Sequence, residues 1–540
     1  MKKILFASAL LLLAGISARA QGANEALLLG ENNYYGTARS VALGNAMTAL
    51  GGDLGSIGIN PAGSAVNKWS QFTLTPALSI YAGQSNMTTP GGANPFSPKS
   101  RLRVNLPNIG AVLAMDMHKT SGLKVVSFGF VANTTEIYNK DILASGLNNG
   151  NSYMGYLADY ATRYNIASSK LDGKISDLDY YTDWPAAIAY QTGVVNAATG
   201  NNGAPYVSPV QDKTSPGYPM RGKIEQTFSY REKGSKQDYL MNMGLNFSDR
   251  FFVGVNLGLI SVSYTRDVKL IERADNPHDF SCDLPEGDGI TVPGYFEDMT
   301  YNYQYVVSGG GIYGKIGIIA VPFEGLRIGA SVQTPTATNL REYRWYRGSS
   351  NFTDGTKSHS HGGDKDSPDY TGEYDLRMPA RFNFGLAYTL PGVGLLSVDY
   401  ELTDFGTSRY SDYYDYSTAS FGDSNNEISN YLGIAHYLRA GLEFKLGNIA
   451  LRGGYNLAIT PALSSSVFDN TILGAIDKLY THTASAGVGY DSGGFFFMDF
   501  ALKARLNPDR YYYLYPTETA PEITASSSLW NALLTFGFRF

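Results

Sequence analysis

The last eleven residues, Trp530 to Phe540, constrain the fold more than any other stretch. Trp530, Ala532, Leu534, Phe536, Phe538 and Phe540 fall on one face of a strand, and Asn531, Thr535, Gly537 and Arg539 fall on the other. Side chains of a strand alternate between faces, so this sorting describes a strand with lipid outside and water inside. A half-buried strand of a soluble protein alternates too, but is rarely this aromatic.

The other end of the chain agrees. Lys2 and Lys3 precede the apolar run Ile4 to Ile16, and Ala18-Arg19-Ala20 places small residues where a signal peptidase reads them, so cleavage after Ala20 is expected. The run is thirteen residues long, too short to span a bilayer as a helix. No other segment offers roughly 20 consecutive apolar residues, so a membrane-embedded chain must cross with strands.

Strand candidates come in pairs joined by short turns. The clearest pair is Tyr239 to Phe247 and Phe251 to Ser261, around Ser248-Asp249-Arg250. On one face lie Tyr239, Met241, Met243, Leu245, Val253, Val255 and Leu257; on the other lie Asn242, Gly244, Asn246, Gly254, Asn256 and Gly258. The same grammar recurs around Pro322-Phe323-Glu324-Gly325, Leu390-Pro391-Gly392, Gly447-Asn448 and Asp491-Ser492-Gly493-Gly494. With Phe72 to Tyr81, Asn108 to Met115, Leu123 to Val131 and the terminal strand, the count is fourteen, both ends lying on the side of the short turns. An even number of strands with alternating short turns and long loops predicts an all-β, antiparallel transmembrane β-barrel over 69–540.

Thr134 to Gln237 reads as the longest loop, with a surface helix within Asn151 to Ala167, and loops of this length are uncommon in compact soluble domains. The stretch before the first strand differs in kind. Gly36 to Gly63 is rich in small residues, has a short helical run around Ala42 to Leu50 and stops sharply at Asn60-Pro61. Residues 21–68 are too few to bury a core of their own, so they are expected to form a hatch, a plug inside the barrel lumen.

Composition narrows function. The 40 Tyr, 26 Phe and 60 Gly suit a barrel, and the mean hydropathy of −0.18 does not oppose one, since lumen-facing positions and loops are polar. A formal charge of −6 argues against nucleic acid as a partner. The single cysteine, Cys282, forms no intrachain disulfide and lies far from the signal junction, which leaves a free thiol in a loop.

No pattern calls for a cofactor, a metal or an enzyme. His359 and His361 are a close pair in a polar loop, short of the three or four ligands of a metal site. The acidic stretch Asp275 to Asp288 lacks EF-hand spacing. Gly55-Ser56 lies in GSIGINPAG without the strand-to-helix setting of a nucleophile elbow, so no catalytic residue is assigned. Tyr410, Tyr413, Tyr414 and Tyr416, and Tyr511 to Tyr513 with Tyr515, are read as interfacial girdle rather than ligand-stacking groups.

Arg39, Gly44, Ala46, Asp53 and above all Asn60-Pro61-Ala62-Gly63, about forty residues past the signal peptide and just before the first strand, resemble the hatch of the FadL/TodX family of outer-membrane transporters. Gly325 to Ser331 with Thr334-Pro335, Phe384 to Tyr388, Leu396 to Tyr400 with Thr403-Asp404-Phe405, Leu451 to Tyr455 with Thr460-Pro461, and Gly487 to Tyr490 are similar to that family's later strands. The resemblance implies a hatch-plugged barrel in the outer membrane of a Gram-negative cell and passive uptake of a hydrophobic molecule, a long-chain fatty acid or similar, that leaves sideways into lipid. It implies a hatch motif at Asn60, Pro61, Ala62 and Gly63 bonding the third strand, a lateral opening at Gly129 in that strand, and an assembly signal at Phe538 and Phe540 for the barrel assembly machinery. Outer-membrane lipid and lipopolysaccharide are the surroundings so implied. The alternative is a PorV-like barrel, which shares the NPAG motif and acts as a protein-interaction partner in secretion.

Overall fold

A computed structural model of the chain describes residues 22–173, 184–197, 206–212, 219–287, 290–353, 357–361, 370–414, 416–467, 472–517 and 519–540. The expected signal peptide and its cleavage site lie outside them.

The sheet closes on itself. Its strands are β1 (Gln71–Thr89), β2 (Ser97–Asp116), β3 (Leu123–Asn148), β4 (Ile224–Phe247), β5 (Phe251–Ala274), β6 (Ile290–Ala320), β7 (Leu326–Gln333 and Thr336–Phe352), β8 (Tyr370–Met378 and Arg381–Leu390) and β9 (Gly394–Asp404 and Arg409–Asp412). They are followed by β10 (Ile434–Leu446), β11 (Ile449–Ser465), β12 (Ile472–Asp491), β13 (Phe496–Tyr513) and β14 (Glu522–Arg539). Each strand pairs antiparallel with the next, and β14 pairs with β1 from Arg539↔Gln71 to Glu522↔Thr88, so the fold is the fourteen-stranded barrel that the alternation predicts. Closure removes the free edges that lipid cannot satisfy. The breaks in β7 and β8 fall at Thr334-Pro335 and at Pro379, where a residue without an N–H cannot continue the ladder.

The lipid face is a band of limited height. On β5, Phe251, Val255, Leu257 and Leu259 point outward and are exposed, while Phe252, Asn256 and Ile260 point inward and are buried. Past Ser261 the outward positions become Ser263, Thr265, Asp267, Lys269, Ile271 and Arg273, polar but for Ile271, yet pairing with β6 continues out to Arg273↔Asp298. At about 3.3 Å per residue the wall rises roughly 40 Å along the strand beyond the apolar band, as a polar turret.

This corrects the loop assignment. Residues 134–148 and 224–237, expected to be loop, are the outer halves of β3 and β4, paired as far as Asn148↔Ile224. Polar residues in water pair their backbones as well as apolar ones in lipid do, so loss of hydrophobic alternation marks the membrane surface and not the end of the strand.

The interior of the turret is packed. One apolar cluster joins Ala23, Ala26, Leu27 and Leu29 of the helix Ala23–Gly30 to Tyr138, Tyr264, Tyr301 and Tyr305 of the wall, and to Tyr153, Met154 and Leu157 from above. The last three belong to the helix Tyr153–Arg163, which Ser152 caps by accepting from Gly155 N at 2.8 Å. It buries a face of Tyr153, Met154, Leu157, Ala158 and Ala161, and so it covers the mouth of the lumen instead of lying on the surface as expected.

Candidate functional site

Residues 31–67 lie inside the barrel, almost all of them buried. Two short capped turns give the segment its shape. Thr37 caps the helix Ala38–Ala42, and Asp53 caps the 3-10 turn Leu54–Gly58 by accepting from Gly55 N at 2.8 Å. Asp53 also accepts from the Thr37 hydroxyl at 2.6 Å, which ties the two turns together.

Asn60-Pro61-Ala62-Gly63 follows. The side-chain oxygen of Asn60 accepts from Ala62 N at 3.1 Å and caps the turn Pro61–Val66. Its amide nitrogen donates to Thr48 O within the hatch at 2.7 Å and to Ile318 O of β6 at 3.0 Å. With a further, longer bond to Ala330 O of β7 at 3.4 Å, the strands held by Asn60 are therefore β6 and β7 and not the third. The third strand meets the motif one turn later, where the Ser64 and Ser127 hydroxyls are 2.9 Å apart.

The wall reaches inward to the hatch backbone with long polar side chains. Asn242 donates to Pro61 O at 3.0 Å, Asn256 to Ile57 O at 2.8 Å, Lys315 to Gly58 O at 2.7 Å and Ser331 to Ile59 O at 2.8 Å. Arg39 of the hatch pairs with Glu443 at 3.1 Å, and Arg452 pairs with the same carboxylate at 2.7 Å. Inner-face glycines let the hatch press flat against the strands. A Cβ on Gly317 would sit 1.9 Å from the Asn60 side-chain oxygen, and one on Gly254 would sit 2.3 Å from the Pro61 carbonyl carbon. These glycines, at inward positions of neighbouring strands, were the sequence signal for which strands the hatch touches.

Between β2 and β3 the wall is unzipped over a long seam. β2 pairs with β3 only from Asn108↔Asn133 to Asp116↔Val125, so Ser97 to Pro107 has no ladder on that side. β3 shifts register between Thr134 and Glu136 and leans behind β2. Ser85 and Thr89 on the inner face of β1 donate to Leu143 O and Leu147 O at 2.8 and 2.7 Å. The backbone carbonyls freed at the shift turn to the hatch, accepting from Asn33 N at 2.7 Å and Tyr35 N at 2.8 Å. Pro107, with no N–H, sits where the β2–β3 ladder stops.

Gly129 is not at this seam. It pairs without interruption with Val112 on one side and Asn242 on the other, so the break expected there lies at Thr134–Glu136 of the same strand. A strand glycine in ordinary extended geometry keeps its ladder; here the extra residue in β3 and the proline in β2 are what end it.

Above the hatch, the helix Ala23–Gly30 fills the lumen. Glu25 pairs with Arg266 at 3.1 Å, Lys236 donates to Leu29 O at 2.7 Å, and Tyr410 donates to Gly22 O at 3.1 Å. Tyr410 and Tyr515 are thus interior residues, not girdle, whereas Tyr414 and Tyr416 are exposed outside the barrel. Beside the helix end, a void with room for about one water is lined by Gly30, Asn32, Lys236, Asp238, Tyr313 and Arg381.

Ser56 is buried in a 3-10 turn and donates to Asp53 O, a setting unlike a nucleophile elbow. Among the described residues no group of three His, Cys, Asp or Glu side chains could hold a metal ion, and no helix is long and apolar enough to cross a membrane. Lys357–His361 forms a short strand on β7; its side chains lie outside the described set. Phe538 pairs with Phe72 and Phe496, and Phe540 donates its N–H to Ser70 O at 3.1 Å.

The architecture recurs in solved structures. A FadL homologue of Pseudomonas aeruginosa superposes with a TM-score of 0.52 at 11% identity, over 95% of this chain and 100% of that one. The toluene transporter TodX of P. putida gives 0.49 at 13% identity over 94% and 99%, and the toluene transporter TbuX of Ralstonia pickettii gives 0.45 at 14% over 94% and 99%. At such identities the likeness shows the fold, and the first of the three carries it. No family model and no curated protein matches the chain in sequence.

Proposed function

We propose that the chain is a FadL/TodX-family transport protein of the Gram-negative outer membrane, exported with a signal peptide cleaved near Ala20, which takes up hydrophobic molecules passively and releases them sideways into lipid. Long-chain fatty acids are the proposed substrate class. The observation that carries this reading is the continuity of the apolar interior with the seam: the cluster that begins at the outer helices and surrounds Ala23–Leu29 includes Tyr138 of β3, beside the unzipped edge, and ends on Leu54 and Ile57 of the hatch. An apolar solute that displaced the helix Ala23–Gly30 would exchange one set of buried apolar contacts for another, at small net cost. It would reach the seam without meeting the polar underside of the hatch, which Lys315, Asn256 and Asn242 tie to the wall. A solute running down its gradient needs no cofactor and no chemistry, so the chain acts as a conduit and not an enzyme. Phe538 and Phe540 are proposed as the residues read by the barrel assembly machinery.

Uptake of a labelled long-chain fatty acid by cells lacking their own transporter tests this directly, together with mass spectrometry of small molecules extracted from the detergent-purified protein. Uptake dependent on the chain, with an apolar ligand co-purifying, is expected. No uptake and no ligand, with a stoichiometric protein partner instead, would replace this reading with the protein-interaction one.

A further inference from the structure

Two arginines stand side by side on the outside of the wall. Arg377 of β8 and Arg409 of β9 are directly opposite each other in the ladder. The next pair, Leu376 and Tyr410, is fully buried inside the barrel, so the arginines occupy the outer face, Arg377 exposed and Arg409 half-buried. Like charges directly opposite on one face of a sheet repel. An acidic neighbour would relieve this, but neither guanidinium makes an ion pair with a described residue. Arg409 donates only to backbone carbonyls, Gly406 O at 2.7 Å and Ser408 O at 2.6 Å. The carboxylates on the same face are engaged elsewhere: Glu373 accepts from Arg341 at 2.6 Å, Asp375 from the Asn339 amide at 3.2 Å and Asp404 from Gly406 N at 3.0 Å. The pair also marks a boundary. Arg377 is opposite Ala337 of β7, and Ala337 is opposite Ile312, where the exposed run Ile318, Ile316 and Ile312 of β6 gives way to Gly310 and Ser308. Below the arginines the outer face is apolar, with Phe382, Phe384 and Leu386 on β8 and Val398 on β9 all exposed. Tyr400, above Val398, has its hydroxyl 2.7 Å from His436 Nδ1 of β10, and such amphipathic rings sit at headgroup level.

Two uncompensated guanidinium groups at the rim of an apolar wall are complementary to an amphiphile with a phosphate at its head and acyl chains below. We infer that Arg377 and Arg409 clamp a phosphate of lipid A, the anchor of lipopolysaccharide, while its acyl chains lie on Phe382, Phe384 and Val398. A phosphate placed between the two forks turns their mutual repulsion into two charge-assisted contacts, and its several oxygens suit the planar, paired donors of arginine. The site lies outside the barrel, away from the lumen and the seam, so the lipid held there is a fixed companion of the wall and not cargo. It rests on the outer-membrane reading, with the turret outside the cell, and not on what the lumen carries. Free phosphate offers the same oxygens without the chains.

Native mass spectrometry of the full chain, delipidated in detergent and titrated with lipid A, tests the clamp, with folding of each variant verified by heat-modifiable migration. The wild type should hold one lipid A tightly, and the double variant Arg377→Gln, Arg409→Gln should bind it about tenfold more weakly through loss of the charge-assisted contacts. Arg377→Lys with Arg409→Lys keeps the charge without the forks and should recover only part of the affinity. Lys269→Gln with Arg273→Gln, two outward cations of β5 on the turret, should change nothing. Equal weakening by the two glutamine pairs would reduce the effect to general charge and overturn the site, as would unchanged binding in the Arg377, Arg409 pair. Dephosphorylated lipid A that binds the wild type as well as lipid A does would assign the contact to the apolar wall alone, and displacement of lipid A by a large excess of inorganic phosphate would assign it to the free ion. Transport is read separately. Wild-type protein that holds lipid A at this clamp but takes up no fatty acid keeps the site and loses the transport reading, whereas uptake without lipid A binding does the reverse.

Discussion

Asn60 shows how much one side chain can hold. It caps a turn through its oxygen and, through its nitrogen, reaches a carbonyl of the hatch, one of β6 and, at longer range, one of β7. Asn60→Ala leaves buried acceptors bare and should cost about 2 kcal/mol, since an unsatisfied buried group costs roughly 1–3 kcal/mol, read as a lower urea midpoint of the heat-modifiable form. Asn60→Asp keeps the capping oxygen and loses the donor, so a loss close to that of alanine would locate the effect in the bonds to Thr48 and Ile318. The motif itself was legible in the sequence from Pro61 and the glycine after it. Its target was not, because nothing local to the motif encodes which distant strand it meets; Gly254 and Gly317, facing inward, carried that information. Neighbouring positions on β5 test the register the same way. Val255→Arg, on the exposed face, should destabilise insertion by about 2–4 kcal/mol near the midplane, seen as lost outer-membrane protein. Asn256→Arg, expected from alternation alone to be mild, removes the bond to Ile57 O and should leave insertion intact but unseat the hatch, measured as increased dye permeability.

At the scale of elements, the membrane-spanning halves of the strands were readable and the outer halves were not. Leu123 to Val131 alternates against lipid, whereas 134–148 leans behind β2 and is covered on both faces, so nearly every position is buried and the period of two loses its hydrophobic signature while the ladder to β4 continues. The seam was misplaced for a related reason: Gly129 is the conspicuous glycine, but Pro107 across the gap is what ends the pairing. The helix Ala23–Gly30 was not foreseen as an element, and its docking should depend on pH. Glu427, on the outer helix Gly422–Tyr431, accepts a hydrogen bond from the Ala23 backbone. Burial, with Glu25 and Asp423 adding repulsion, pushes its carboxyl up to about 7. Glu25 is itself paired with Arg266, and the Tyr410 hydroxyl faces Gly22 O. A carboxyl raised on docking favours the docked state while it is protonated, so the contribution is present at acidic pH and is lost as pH rises through about 7. Amide exchange of residues 23–30, corrected for intrinsic rates, should therefore be slower at pH near 5 than near 9, and Glu427→Gln should flatten the difference. Equal protection in wild type at both pH values would exclude Glu427 from the docking.

For the whole molecule, orientation decides which of these parts meets the outside. The short turns, including Ser248 to Arg250, lie at the end of the barrel where β14 closes on β1 and Phe540 bonds Ser70 O. The turret and the helix over the lumen lie at the other end, and a turret with polar outward faces belongs in water and not in lipid. Barrels of the outer membrane put short turns in the periplasm and long extensions outside. Asn149, exposed at the tip of β3, should then be outside the cell and Asp249 inside. The native thiol Cys282, on the turret side between β5 and β6, must first be removed as Cys282→Ser to leave a silent background. In that background a membrane-impermeant maleimide should label Asn149→Cys in intact cells and spare Asp249→Cys until the outer membrane is broken. The reverse pattern would invert the barrel, open the seam to the opposite leaflet, and remove the basis for uptake from outside.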